Sequence, residues 1–487
     1  MAVISIKNLT FAYEGSYDNV FENTSLTLDT DWKLGLIGRN GRGKTTLLRL
    51  LMGGYSYKGS ISSPVAFDYF PFETADINKN TAEIIAEIVP DYQQWQLSCE
   101  LNQMNVSEDT LERPFATLSN GERTKLLLAA LFMKENNFLL IDEPTNHLDA
   151  EARRSVAEYL NRKKGFILVS HDRAFLDACI DHVLSINRAT IEVQKGNYTS
   201  WQRNKEARDN FELAENKRLA LEIDRLKQSV MRTEGWASKI EASKSGSGDR
   251  GYIGHCSAIM MQRAKAIEKR KERMIADKES LMHDVEYNEP LKIHSEPYFK
   301  ETLIGLSDFA VRYGERQIFD NVAFSVKRGD RIALKGRNGC GKSSILKLIA
   351  GEKIDYTGVL EIGSRLKISY VPQDMSFLKG DLDDFSARSG IDETLFKTIL
   401  RKLDFKRTQF EKDMSDYSMG QKKKILLAKS LCERANIYIW DEPLNYIDVI
   451  SRLQIEALIL EYKPTMLFVE HDKAFTDGIA TDSIIIG

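Results

Sequence analysis

The sequence predicts an α/β protein in which two copies of one mixed domain follow each other, joined by a long antiparallel α-helical hairpin. Three observations predict this. A glycine-rich loop between an apolar strand and an apolar helix occurs twice, 298 residues apart. A short apolar strand ending in two adjacent acids also occurs twice, 299 residues apart. Between the copies lie residues 204–299, which resemble neither and carry a helical period. A chain of 487 residues is too long for one core, which fits a division into 1–203, 204–299 and 300–487.

In the first copy, the strand Leu34 to Ile37 leads into Gly38, Asn40, Gly41, Gly43, Lys44, Thr45 and Thr46, and a helical run follows. Strand, glycine-rich turn and helix start in that order make a phosphate-binding loop. Backbone N–H groups surround the phosphates, the lysine reaches the terminal ones, and the hydroxyl of Thr45 faces Mg²⁺. The second copy repeats the series as Gly336, Asn338, Gly339, Gly341, Lys342, Ser343 and Ser344.

The acidic strand ends are Asp142-Glu143 and Asp441-Glu442. Paired acids there are costly unless a cation or substrate offsets them. The first acid of each pair is placed to orient Mg²⁺, and the second to polarise the water that attacks a γ-phosphate. His171 and His471 each follow a further apolar strand at matching distances, which places an imidazole beside the same phosphate.

The hairpin rests on Leu219, Ile223, Leu226 and Val230 in one arm, and on Met260, Ile267, Met274 and Leu281 in the other. Its turn spans Ser243 to His255, where four glycines and three serines forbid continued helix. Each arm spans roughly 50 Å at the helical rise. From Arg225 to Arg273 twelve Lys and Arg stand against five Asp and Glu, although the whole chain carries a net charge of −3. Trp236, Tyr252 and His255 sit among Lys239, Lys244, Arg250, Arg263 and Lys265. Flat groups beside cations suit stacked bases and phosphates, so these eight residues are the candidate RNA contacts. Taken alone, the same stretch also reads as a solvated spacer.

Composition excludes several classes. No apolar run approaches the roughly 20 residues a membrane span needs, and the N-terminus runs directly into a strand pattern without signal-peptide features. The chain ends hardly past its last strand, which reads as the lack of a C-terminal extension. Cys99, Cys179, Cys256, Cys340 and Cys432 form no paired motif, so neither zinc nor a disulfide framework is expected. A reducing cytoplasm fits.

Leu118 to Glu122 and Tyr417 to Gln421, each 23 residues before an acidic pair when counted from Ser119 and Ser418, resemble the signature loop of ATP-binding-cassette (ABC) ATPases. With Tyr13 and Tyr313 placed to stack on adenine, the chain resembles two ABC-type P-loop ATPase domains in tandem. The resemblance implies head-to-tail pairing of the cassettes within one monomer. One ATP then lies between Lys44, Asp142, Glu143 and His171 and the opposing Ser418 and Gly420. The other lies between Lys342, Asp441, Glu442 and His471 and the opposing Ser119 and Gly121. Asp149 and Asp448 become the acids at the seam. Gln373 holds the position that contacts Mg²⁺ and the attacking water, whereas its counterpart Phe72 does neither, which predicts two competent but unequal sites with a slower first one.

Two cassettes, no membrane segment and a helical linker of about 95 residues resemble the ABC-F translation ATPases over essentially the whole chain. The compact layout and the linker tip look most like the Lsa- and Vga-like resistance proteins. That resemblance implies binding at the E site of the bacterial ribosome and contacts to 23S rRNA near the peptidyl transferase centre and to P-site tRNA. It also implies protection against lincosamides, streptogramins A and pleuromutilins. A housekeeping translation factor of the same family is the alternative. Less favoured are a transporter ATPase subunit, which usually lacks such a hairpin, and a DNA-repair ATPase. Repair ATPases either carry their coiled coil inside one cassette or need zinc cysteines absent here.

Overall fold

The computed structural model describes residues 2–14, 19–72, 74, 76–145, 148–187, 190–242, 262, 265–266, 269–271, 273–274, 290–313, 316–337 and 339–486, with side chains outside that description at 150, 229–242, 313, 316–317, 320 and 408. It divides into two units, one of residues 1–199 with 288–487 and one of residues 200–287.

In the larger unit, the first domain is built on a six-stranded sheet. Its order is Ala66–Phe70, Asn137–Asp142, Phe166–Val169, Lys33–Ile37, His182–Ile186, Ile191–Lys195. All neighbours are parallel except the last pair. Parallel strands are covered on both faces and therefore read as unbroken apolar runs. Leu34, Leu36, Phe138 to Ile141 and Phe166 to Val169 are accordingly all buried. A three-stranded antiparallel sheet, Phe21–Asp29, Val3–Phe11 and Lys58–Ser62, closes one side. Its Ile4, Ile6 and Leu9 pack with Leu47, Leu48 and Leu51 of the helix Lys44–Leu51.

The second domain repeats this arrangement. Its parallel sheet runs Ile368–Val371, Ile437–Asp441, Met466–Val469, Arg331–Lys335, Asp482–Ile485, and an antiparallel sheet of Arg316–Lys327, Thr302–Tyr313 and Tyr356–Ile362 lies beside it. In both domains the phosphate-loop strand sits in the interior of the sheet, so its loop and the acidic strand end emerge on one edge. Ahead of this domain, Leu291 and Ile293 are buried in its core. His294–Ser295 then pairs in parallel with Arg434–Ala435, and the Asn436 amide donates to the Glu296 carbonyl at 3.0 Å.

The second unit is dominated by a 45-residue helix, Tyr198–Ala242, which extends about 68 Å at 1.5 Å per residue. Leu219 and Ile223 are buried, while Phe211 and Leu221 are exposed. The described residues between 262 and 274 are helical, with Met274 exposed. The expected turn at 243–255 and the seam residues Met260, Ile267 and Leu281 lie outside the described residues, as does the side chain of Val230. Among the described residues no helix is long and apolar enough to cross a membrane.

Candidate active site

Both phosphate loops depend on left-handed glycines. Gly41 and Gly43 have φ of 79° and 94°, and Gly339 and Gly341 have 80° and 93°, a region that costs other residues a steric clash. A Cβ on Gly341 would also stand 2.7 Å from the Phe319 ring. Each lysine folds back over its own loop. Lys44 Nζ donates to the Gly38 carbonyl at 2.7 Å and to Asn40 Oδ1 at 3.2 Å, and Lys342 Nζ to the Gly336 and Arg337 carbonyls at 2.7 and 2.8 Å. These are the donors a terminal phosphate would engage. Tyr13, 44% exposed at the loop's flank, shares a 2.6 Å hydrogen bond with Thr46. The side chain of Tyr313 and the whole of Asn338 lie outside the described residues.

The acidic pairs sit where the sheets end. Thr45 and Tyr69 donate to Asp142 Oδ2 at 2.9 and 3.0 Å. Asp441 is fully buried beside the Ser343 hydroxyl, yet neither carboxylate oxygen makes a hydrogen bond of good geometry. Burial pushes Asp441 up to about 6, only partly opposed by Ser343. A buried carboxylate left in that state, with a hydroxyl beside it, is a set of hard oxygens that fits Mg²⁺. Glu143 and Glu442 have φ of 51° and 47°, a strained conformation for a non-glycine residue. Each is pinned there by its N–H, which donates to the Val169 or Val469 carbonyl at 2.9 Å.

The two domains meet across these edges. The Asn40 amide of the first phosphate loop donates to the Tyr446 carbonyl of the second domain at 2.7 Å. A Cβ on Gly420 would stand 2.9 Å from that same amide nitrogen, so the second signature loop abuts the first phosphate loop. At the other junction a cavity of about 390 Å³ is lined by Gly339, Lys342, Ser343, Gln373, Glu442 and His471 together with Asn120 and Arg153 of the first domain. Ser119 and Ser418 cap the helices Asn120–Phe132 and Met419–Cys432, and each forms a capping box with the residue three further on. Each serine thus stands at a helix N-terminus, where the backbone dipole favours an anion.

The family model described as ABC transporter matches residues 21–146 and 319–445, one stretch in each domain. The chain belongs to that family. Within it the chain is a tandem-cassette ATPase of the ABC-F type that binds ATP. It is 26% identical over 500 residues to the ribosome protection protein VmlR of Bacillus subtilis, across 99% of this chain and 86% of that one. It is also 26% identical over 516 residues to the energy-dependent translational throttle protein EttA of Escherichia coli, across 95% and 88%. A crystal structure of an archaeal ribosome recycling factor in complex with a ribosomal stalk protein shares the fold, with a TM-score of 0.63 at 19% identity over 98% of this chain and 87% of that one.

The two ABC sites differ in their electrostatics. In the first cassette His171 Nε2 stands 3.3 Å from Glu143 Oε1. Burial, reinforced by Asp142, raises Glu143 to about 8 against the pull of Lys44 and Arg452. Burial and the nearby Lys44 and Arg452 hold His171 well below the usual histidine range, so its imidazole is neutral. In the second cassette Glu442 accepts from Gln373 at 2.8 Å and from Asn445 at 2.5 Å, with His471 at 3.6 Å. Burial would raise Glu442, but His471, Lys423 and Gln373 outweigh it and keep its carboxyl below the ordinary range.

Asp149 and Asp448 each cap their own helix, accepting from Ala152 and Ser451 at 2.9 Å. Asp448 is also paired with Lys424 at 2.9 Å, fully buried, and this pairing overcomes desolvation to hold it well below the carboxylate range. Asp149 lines a second cavity that Arg337 of the opposite cassette also lines. Of the tip residues, Lys265 is described, exposed on a helix. Trp236 and Lys239 lie on the 45-residue helix with side chains outside the described residues, and Lys244, Arg250, Tyr252, His255 and Arg263 lie outside them altogether.

Sequence reasoning passed over several groups that the fold brings to the seam. Arg39 and Arg42 face Asp404 at 3.7 and 3.8 Å, and Arg173 is bonded to Glu456. Counted by the offset between copies, Asp404 corresponds to Asn105 and Glu456 to Ala157. The ion pairs on the first cassette's side of the seam therefore have no charged equivalents at those positions on the other side. Asn445 was visible in the run after Glu442, but Lys423 was not: it is the middle of three consecutive lysines at the start of its helix, and nothing in that run marks its ammonium, which burial lowers to about 8, as a buried one.

Proposed function

We propose that this chain works on the bacterial ribosome: in its ATP-bound, closed form it occupies the E site, and its linker displaces lincosamide, streptogramin A and pleuromutilin antibiotics from the peptidyl transferase centre. Hydrolysis then releases it. In this reading residues 1–203 and 300–487 are the motors and 204–299 the reader. The tip residues Trp236, Lys239, Lys244, Arg250, Tyr252, His255, Arg263 and Lys265 contact 23S rRNA and P-site tRNA. The observation that carries the proposal is the match to a ribosome protection protein along 99% of this chain, linker included. The twelve-to-five basic excess of the linker supports an RNA target.

Within each site the residues have separable tasks. Lys44 and Lys342 exchange their loop carbonyls for phosphate oxygens, and Ser119 and Ser418 bring the helix N-terminus of the opposite cassette to the γ-phosphate. Glu143 and Glu442 take the proton of the attacking water, and the neutral imidazole of His171, with His471 in the second site, orients the carboxylate. Thr45 with Asp142, and Ser343 with Asp441 and Gln373, would hold the Mg²⁺, which neutralises phosphate charge when bound.

Replacing Glu143 and Glu442 by Gln retains the nucleotide sandwich and removes the base. In ATP the double variant should cosediment with ribosomes far more than the parent, and equal cosedimentation would overturn the cycle. The equal identity to a translational throttle protein favours a second reading, a general translation factor. Growth of a susceptible bacterium expressing the chain under lincomycin, tiamulin or virginiamycin M separates the two, because only the first reading predicts protection.

A further inference from the structure

Lys423 lies on the helix Met419–Cys432 with 1% of its surface exposed. Its ammonium donates to two backbone carbonyls, Pro372 at 3.1 Å and Asp441 at 3.0 Å. Those carbonyls belong to the residues immediately before Gln373 and Glu442, whose side chains meet at 2.8 Å in the second site. One cation therefore ties together the two backbone segments that carry the water-facing amide and the base. The corresponding residue of the first cassette is Thr124, and the residue corresponding to Gln373 is Phe72. The cassette without the amide is also the cassette without the lysine, and a threonine offers one donor on a short stem.

We propose that Lys423 is a positioning residue for hydrolysis at the second ATP site, holding the Gln373 segment against the Asp441-Glu442 strand end so that amide and carboxylate stay in register. It acts only through Gln373 and Glu442 and touches no substrate. A misplacement of about 1 Å at a reacting group is enough to cost orders of magnitude in rate.

The test uses the full-length chain carrying E143Q, so that turnover reports on the second site. K423M, which fills the same space without donors, should lower kcat about tenfold while KM for ATP moves less than about twofold. K423R, which keeps several donors, should recover most of kcat. In a Q373A background the further loss from K423M should shrink to under about twofold, because groups that act through one another are not additive. If K423M does not melt cooperatively, K423T, with the residue present at position 124, takes its place. An unchanged kcat, a loss confined to KM, or the same penalty with and without Gln373 would each overturn the assignment.

Discussion

At the first ATP site the proposed base, Glu143, stands beside one histidine in a buried pocket that favours its protonated form; at the second, Glu442 receives two amides and stays ionised. Both glutamates have the same strained backbone and the same valine carbonyl behind them. The difference lies in what surrounds the carboxylate, so two sites with the same motifs need not share a rate. The seam differs in the opposite sense. Arg39, Arg42 and Arg173 meet Asp404 and Glu456 on the first cassette's side, while the matching positions opposite carry Asn105 and Ala157. Among the described residues, the better-tuned proposed base sits at the junction that lacks these charged ties.

The largest effect expected is on the bases themselves. E442Q should remove most of the steady-state ATPase, with the residual turnover reduced by about 10²-fold or more in the E143Q/E442Q pair. Equal losses from the two single variants, measured as phosphate release, would erase the contrast. Next, Q373F in an E143Q background gives the second site the aromatic of the first and should lower kcat roughly tenfold, whereas F72Q in an E442Q background should raise it.

A pH series sharpens the same comparison. Glu143 is held up to about 8 and acts as a base only when ionised, so the E442Q variant should gain activity as pH rises through about 8. Glu442 lies below the ordinary range, so the E143Q variant should show no such gain through about pH 8. The smallest effect concerns the seam. E456A removes one partner of Arg173, which retains Asp472 at 3.8 Å, and should speed release of a fluorescent nucleotide from the first site by about fivefold, near 1 kcal/mol. Release from the second site should not change.

The fold and the loop, cap and strand-end geometry of each motif were legible because each motif is contiguous and its context is local. Gly38 to Thr46 lies between a strand and a helix that can be read directly, and Ser119 precedes its helix as a cap would. The second copy at a constant offset then served as an internal control. Groups joined across the seam were not legible, since Arg173 and Glu456 lie 283 residues apart and nothing in either neighbourhood names the other. Lys423 sits in a signature helix whose composition gives no reason to bury an ammonium. Comparing the copies position by position would have exposed it, as it would Asp404 and Glu456, because each lacks its twin. Tip residues such as Tyr252 lie outside the described residues, and their role rests on charge and composition.

Covalent fusion of the two cassettes gives every one of these differences its permanence. Two identical subunits assembled head to tail would carry any substitution in both junctions at once, so a change that sharpened one catalytic centre would alter the other equally. Encoding both halves in a single polypeptide breaks that bond. Position 423 and position 124 answer to separate codons, and natural selection is free to make one junction the faster engine and its neighbour the firmer grip.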